Sequence, residues 1–337
     1  MGHVTKFWSW ASRCSDSVKL QQLAKRAGGW AGLSAVDRDG LLELGVCSGQ
    51  VRHWSAARPW HTRGRVVTLA DPDYPTRLRR ISHPPAVLCV EGRLGAIANR
   101  AVAVVGARRC TGQGRAVARH LGHALASFGV CVVSGLARGI DTEAHRGGLL
   151  DGNTVAVLAH GLSFTSPTSN RYLRRQILDR GGCVLTAFAD DRPPRPHTFP
   201  VRNRWVAGLS DAVVVVEAAA RSGTMHTVRA ALDEGRDVFA VPGQLGQSTS
   251  EGCLRLIEQG AGVIVDVDEF AARMTGSESR PPDGWLGDVL RGVPLEAVAR
   301  RSNLTIRDLL TRLGRLELHG RLVRLPGGRY AKQGRWE

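Results

Sequence analysis

Between residues 101 and 265 the chain alternates short, unbroken apolar runs with stretches of helical periodicity, which predicts a parallel α/β sheet. The runs predicted as strands are Ala101–Val105, Val130–Ser134, Thr154–Leu158, Cys183–Thr186, Ala212–Val216, Asp237–Val241 and Gly262–Val265. Several are continuous Val and Ala rather than alternating, the pattern of strands that helices cover on both faces. Helices are predicted near 112–128, 141–150, 169–180, 200–209, 224–235 and 252–260. Sequential units with connections this short build a Rossmann-like, doubly wound parallel sheet.

The flanks read differently. Residues 1–65 form a poorly patterned helical region with Gly28-Gly29 and Trp at 8, 10, 30, 54 and 60. The α/β domain is expected over 66–274, followed by a polar, Pro/Gly-rich linker at 275–284. Beyond it, Leu286–Leu290, Leu295–Arg301 and Thr305–His319 read as three helices, the last amphipathic at Leu309, Leu310, Leu313 and Leu316. Leu322–Leu325, a Pro-Gly-Gly turn and Arg329-Tyr330 then read as a β-hairpin. Three helices and a hairpin over 285–332 make a winged-helix domain.

A chain of 337 residues that is 43% hydrophobic has enough apolar surface for two or three folded domains. No apolar run approaches the ~20 residues of a membrane span, and Met1 to Trp10 lacks the features of a signal peptide. Seven scattered Cys, none in C-x-x-C spacing, argue against a disulfide framework or zinc site and for a reducing cytoplasm. The net charge of +16 changes the picture, because an excess of this size favours a polyanion, most often nucleic acid. Its distribution is uneven: residues 1–100 carry 15 Lys+Arg against 7 Asp+Glu, 101–270 carry 18 against 16, and 271–337 carry 13 against 7. Arg supplies 42 of the 46 cations, which suits bidentate phosphate contacts and is also what a GC-rich genome writes.

Within the nearly neutral centre, Arg residues fall largely in loops that a parallel sheet brings together. The first strand runs into Gly106, Arg108, Arg109 and Gly112, either an anion-approaching loop or simply a tight strand-to-helix turn. The second ends in Ser134, Gly135, Arg138 and Gly139, without the acidic residue that would hold the ribose of a dinucleotide. Asp141 reads as a helix N-cap, and His145 as either a ligand contact or a satisfied structural His. Asn170 and Arg171, with Arg174 and Arg175, open a further helix near the same face. A third loop, 195–204, sets Phe199 beside Arg202, Asn203 and Arg204: a stacking face, phosphate partners and a base-edge group, as single strands require. Ser222 and Gly223 complete the candidate site. No catalytic triad order, Walker A sequence or H-E-x-x-H occurs, so no catalytic or metal-ligating residues are assigned.

These motifs name a family. Gly106-Ala-Arg108, Ser134-Gly-Leu-Ala-Arg-Gly-Ile-Asp141, His197-Thr-Phe-Pro-Val-Arg-Asn-Arg204, Val216-Glu-Ala218, Ser222-Gly223 and Val238-Phe-Ala-Val-Pro-Gly243 occur in the order of the DNA-processing protein A (DprA/Smf) family, which the chain resembles over about 66–270. The segments Asp71–Leu78 and Pro84–Gly92 look like the family's lead into its Rossmann-like domain. Departures occur at Ala107 for a Ser, His160 for a Cys, Ser166 for a Tyr, and Cys253-Leu254 for Thr-Asn. The resemblance implies a non-enzymatic protein that binds and protects single-stranded DNA and loads the RecA recombinase in natural transformation. It further implies a homodimer through the Rossmann-like domain, with no metal or nucleotide cofactor. The tail fits either weak contact with duplex DNA or a protein partner. Two other classes remain: a small-molecule enzyme of the related phosphoribohydrolase-like group, whose Pro-Gly-Gly-x-Gly-Thr-x-x-Glu motif is absent, and a winged-helix transcription regulator.

Overall fold

The computed structural model describes residues 2–12, 17–97, 100–152, 154–275, 286, 289–290, 292–302, 305–318, 322–326 and 328–332. It divides into two compact units, Met1–Val267 and Asp268–Glu337. Apart from Thr275, the predicted linker lies outside the described residues.

In the first unit, α1 (Lys6–Ala11), α2 (Ser17–Arg26), α3 (Trp30–Ala35), α4 (Arg38–Glu43) and α5 (Ser48–Ala56) make up the N-terminal helices. An antiparallel pair, β1 (Gly2–Val4) and β2 (Trp60–Thr62), brackets them. Their apolar faces bury Trp10, Leu20, Leu33, Leu41 and Val51 in the same core cluster as sheet residues Leu88, Val90 and Val105. The Thr62 hydroxyl and the Arg63 amide both donate to the Asp190 carboxylate, at 2.6 and 2.8 Å, which fastens β2 to the loop after the sheet's strand at 183–186.

The sheet has nine strands. They are β3 (Arg65–Thr68), β4 (Val87–Gly92), β5 (Ala101–Val105), β6 (Cys131–Ser134), β7 (Thr154–Val157), β8 (Cys183–Thr186), β9 (Ala212–Val215), β10 (Asp237–Ala240) and β11 (Gly262–Val263). Their order is β11-β10-β9-β5-β6-β7-β8-β4-β3. The seven strands expected from Val/Ala runs are all present and mutually parallel, with ends within about two residues of expectation. Beyond these seven, two further strands extend the sheet in the opposite sense: β4 lies antiparallel to β8, and β3 antiparallel to β4. Every residue of β5, β6, β7, β8 and β9 is buried, as continuous Val/Ala strands require when helices cover both faces. The connecting helices are α6 (Thr76–Arg79), α7 (Gly112–Ser127), α8 (Ile140–Asp151), α9 (Arg171–Asp179), α10 (Thr198–Leu209), α11 (Thr224–Asp233) and α12 (Glu251–Glu258). From β5 the chain winds outward through β6, β7 and β8, then returns to place β9 on β5's other side and winds toward β11. The order therefore reverses between β5 and β9, where open α/β sheets bind ligands at their carboxyl ends.

The second unit is a winged-helix domain. Helices Leu295–Ser302 and Ile306–Leu318 precede an antiparallel hairpin of Leu322–Arg324 with Tyr330–Lys332. Val289, Val298, Leu309, Leu313, Leu322 and Tyr330 form its own core. No helix among the described residues is long and apolar enough to cross a membrane.

Candidate nucleic-acid interface

At the strand-order reversal, the turn after β5 leads into α7, whose N-cap is Thr111, its hydroxyl accepting from the Gly114 amide at 2.9 Å. Glu217, just past β9, closes this helix end. Its carboxylate accepts from the Thr111 amide at 2.9 Å and from the Thr111 hydroxyl. A carboxylate of the chain itself thus sits at the positive end of α7, where a ligand anion would otherwise bind. A Cβ on Gly114 would lie 2.4 Å from the Glu217 carboxyl carbon, so this glycine makes room for Glu217.

The turn after β6 is organised by buried charge. Asp141 is not the helix N-cap that the sequence suggests. It is the second residue of α8, behind an N-cap at Gly139, and its carboxylate reaches back to the amides of Gly135 and Ala137 at 3.0 and 3.3 Å. Arg202 of α10, 4% exposed, donates to the carbonyls of Gly135 and Val157, and its Nε to the Asn203 carboxamide oxygen. A Cβ on Gly135 would overlap that guanidinium, while one on Gly106 would meet Ile140 and the Glu217 carbonyl. These glycines serve close packing. Leu136, next after Gly135, has φ 55°, the left-handed region that non-glycine residues seldom occupy. Burial raises the Asp141 carboxyl above its usual range, against the attraction of Arg202, and brings the Arg202 guanidinium down to about 10. Below the turn, burial and the nearby Arg202 hold His145 at about 3; its Nδ1 pairs with the Thr154 hydroxyl at 2.7 Å and its Nε2 is buried without a partner among the described residues. Of its two sequence readings, the structure gives the structural one.

Above these turns lies a cleft of about 840 Å³. Gly106, Arg108, Arg109 and Gly135 line it, as do Phe199, Arg202 and Asn203 from α10 and Ser222 and Gly223 ahead of α11. Arg108 stands over the Phe199 ring, its Cζ 5.0 Å from the centroid, with Arg202 at 5.9 Å. Such a pair presents an exposed guanidinium and a half-buried aromatic face to one ligand.

The other sequence candidates lie elsewhere. The segment expected as a third loop is helical from Thr198, so its residues differ in role: Phe199 and Asn203 line the cleft, Arg202 lines it with its guanidinium buried on two carbonyls, and Arg204 is exposed to solvent. Ser134 is wholly buried, donating to the Val104 carbonyl at 2.7 Å. Asn170 is buried and donates to the Leu136 carbonyl and the Thr142 hydroxyl, both at 2.9 Å, bracing the second turn. Arg174 is buried against Glu91 at 2.6 Å. Ser134, Asn170, Arg174 and Arg202 are therefore framework rather than free ligand contacts. Gly112, Arg138 and Arg171 are exposed, and none of these, nor Gly139, lines the cleft. Sequence reading overlooked the far wall, where Thr224, Thr227 and Thr249 also line the cleft. The signal was Thr224 and Thr227 at i, i+3 behind Ser222-Gly223, which puts both hydroxyls on one helix face.

A doubly wound α/β domain, with an Arg- and aromatic-lined cleft at its strand-order reversal, followed along the chain by a winged helix, is the class these features define. The family model described as DNA recombination-mediator protein A matches residues 65–275, and the DprA winged helix domain matches 291–328. The chain belongs to the DNA recombination-mediator protein A family. Protein Smf of Escherichia coli strain K12 is 37% identical over 276 residues, covering 76% of this chain and 74% of Smf. The X-ray structure of DNA processing protein A from Streptococcus pneumoniae superposes with a TM-score of 0.68 at 30% identity, over 80% of this chain and 98% of that one. A structure of DNA processing protein A from Helicobacter pylori, concerned with its single-stranded DNA binding mode, gives 0.58 at 29% identity, over 64% and 97%.

Proposed function

We propose that this protein binds single-stranded DNA in the cleft beside β5 and β9 and delivers it to a RecA-type recombinase, acting as a carrier rather than an enzyme. The observation that carries this reading is Arg108 over Phe199 in the cleft, a phosphate partner joined to a stacking face. The carboxylates nearest the cleft support a binding role: Asp141 and Glu217 are both buried and engaged by backbone amides, unsuited to moving protons on a substrate. Likeness to DNA processing protein A of Streptococcus pneumoniae and Helicobacter pylori supports a role in DNA processing during transformation. In this reading the protein works in the cytoplasm as a dimer through its α/β domain. A gel shift of the full chain with single-stranded and duplex DNA across salt concentrations tests it. Tighter binding of single strands, weakening with salt by a log–log slope of about −0.7 per phosphate neutralised, is the expected result. Equal or tighter duplex binding refutes it.

A further inference from the structure

One end of the cleft is built from neutral donors. Ser222, Gly223 and Thr224 form the junction between the β9 turn and α11, a helix of 10 residues whose N-cap Gly223 offers no side-chain cap. Among the described residues, the Ser222 and Thr249 hydroxyl oxygens are buried without a hydrogen-bond partner, and both residues line the cleft. Thr224 and Thr227, 9% and 3% exposed, also line it, and neither hydroxyl has a partner among the described residues. Buried hydroxyls ordinarily find partners, because leaving one unpaired costs free energy. Two buried idle hydroxyls, with two further unpartnered ones beside them, around one uncapped helix end are the mark of a site waiting for a ligand that accepts hydrogen bonds.

The contrast with α7 sharpens this. Both helices start at the strand-order reversal, one from β5 and one from β9. At α7 the positive helix end and the Thr111 hydroxyl are already occupied by Glu217. At α11 no carboxylate takes the corresponding place among the described residues.

We propose that the α11 end of the cleft, formed by the hydroxyls of Ser222, Thr224, Thr227 and Thr249 with the amides of Gly223 and Thr224, is an uncharged phosphodiester subsite. It holds one backbone phosphate of a single strand whose neighbouring phosphate and base engage Arg108 and Phe199. Helix-end amides and hydroxyls donate to non-bridging phosphate oxygens without a cationic side chain. This subsite therefore adds affinity without adding a cation to the binding equilibrium. The inference rests on the single-strand reading of the cleft and divides its phosphate contacts into a salt-sensitive half at Arg108 and a salt-insensitive half at α11.

The test measures affinity for an oligothymidylate across salt in the full-length protein. Ser222→Ala, Thr249→Val and Thr227→Val remove one hydroxyl each with little change of shape, and melting curves verify the fold. Combined, Ser222→Ala and Thr249→Val should weaken binding about tenfold or more, the scale of lost hydrogen bonds to a charged group, with the log–log salt slope unchanged. Arg108→Ala should instead make the slope shallower by about 0.7. If Thr227→Val proves unstable, Ser222→Ala with Thr249→Val alone decides. Affinity within twofold of the native protein, or a shallower slope in the hydroxyl variants, overturns the proposal. If the native protein itself fails to bind the oligonucleotide, the single-strand reading falls as well, a result readily told apart from a silent variant. A second readout is independent of DNA: titrated inorganic phosphate should shift the amide resonances of Gly223 and Thr224 before those of Gly112 and Gln113. The opposite order also overturns it.

Discussion

The Glu217 carboxylate holds both the amide and the hydroxyl of Thr111, across 106 residues of sequence, and so welds the turn after β9 to the start of α7. Glu217→Gln should cost about 1–3 kcal/mol of stability, since it weakens two hydrogen bonds to a buried group. Gly114→Ala should destabilise the native chain but much less so a Glu217→Ala background, because the added methyl collides with that carboxylate. Urea unfolding of the double-mutant cycle measures the coupling, and strict additivity would contradict the contact.

Arg108 and Arg202 flank the same ring and should behave oppositely. Arg108 is exposed, so Arg108→Ala should weaken single-strand binding about tenfold at low salt and leave the melting temperature nearly unchanged. Arg202 is buried on two carbonyls beside Asp141, so Arg202→Ala should lose about 3–5 kcal/mol of stability. Thermal melts and gel shifts on the two variants give four numbers. A stable Arg202→Ala protein would return that side chain to the ligand.

Phe199→Ala should cost roughly 1–3 kcal/mol of single-strand affinity, the loss of one stacked base. Its ring is only partly buried, so the fold should survive. Phe199→Trp should retain binding. Fluorescence of that Trp, quenched by added oligonucleotide, checks the stacking directly.

His145 makes the first unit acid-sensitive. Its value falls from 6.5 in the unfolded chain to about 3 in the folded one, chiefly through burial. Between those limits the unfolded chain carries a proton that the folded chain lacks. This contribution to stability is complete above pH 6.5 and declines by up to about 1.4 kcal/mol per pH unit as the pH falls. Asp141, shifted upward, works in the opposite sense: the folded chain takes up a proton before the unfolded one, recovering part of the loss. The difference between native and His145→Gln unfolding curves at pH 7, 6 and 5 isolates the histidine. The variant should show the flatter profile, and parallel profiles would rule this account out.

Much of the fold was legible because each central strand is buried on both faces and therefore written as unbroken Val and Ala. β3 and β4 were not, since Arg65–Thr68 is short and begins with Arg, and the apolar run of β4, Val87–Val90, does not by itself tell that it pairs antiparallel. The winged helix was legible from leucines at helical spacing and a Pro-Gly-Gly turn. At the site, the two glycine turns and the aromatic–arginine segment were legible as motifs, but the work of each residue was not. Arg202 and Asn203 both reach the cleft, but that the Arg202 guanidinium is spent on the Gly135 and Val157 carbonyls depends on tertiary packing against the turn after β6 and the end of β7, which local sequence does not carry. The Glu217–Thr111 junction depends on β9 lying beside β5, a fact of strand order that local sequence does not carry.

The N-terminal helices are continuous with the sheet's interior. Trp10 and Leu33 are buried in the same apolar mass as Leu88 and Val90, and the Trp10 indole donates to the Gln50 carbonyl at 2.9 Å. They are a keystone rather than an appendage. Cutting the chain at residue 63 would strip cover from β3 and β4, leaving a sheet edge that is antiparallel, apolar on one side and free to pair with another molecule. The N-terminal helices and the cleft, which none of their described residues lines, should therefore melt as one: a single calorimetric peak, and proteolysis that spares this junction until the whole unit opens.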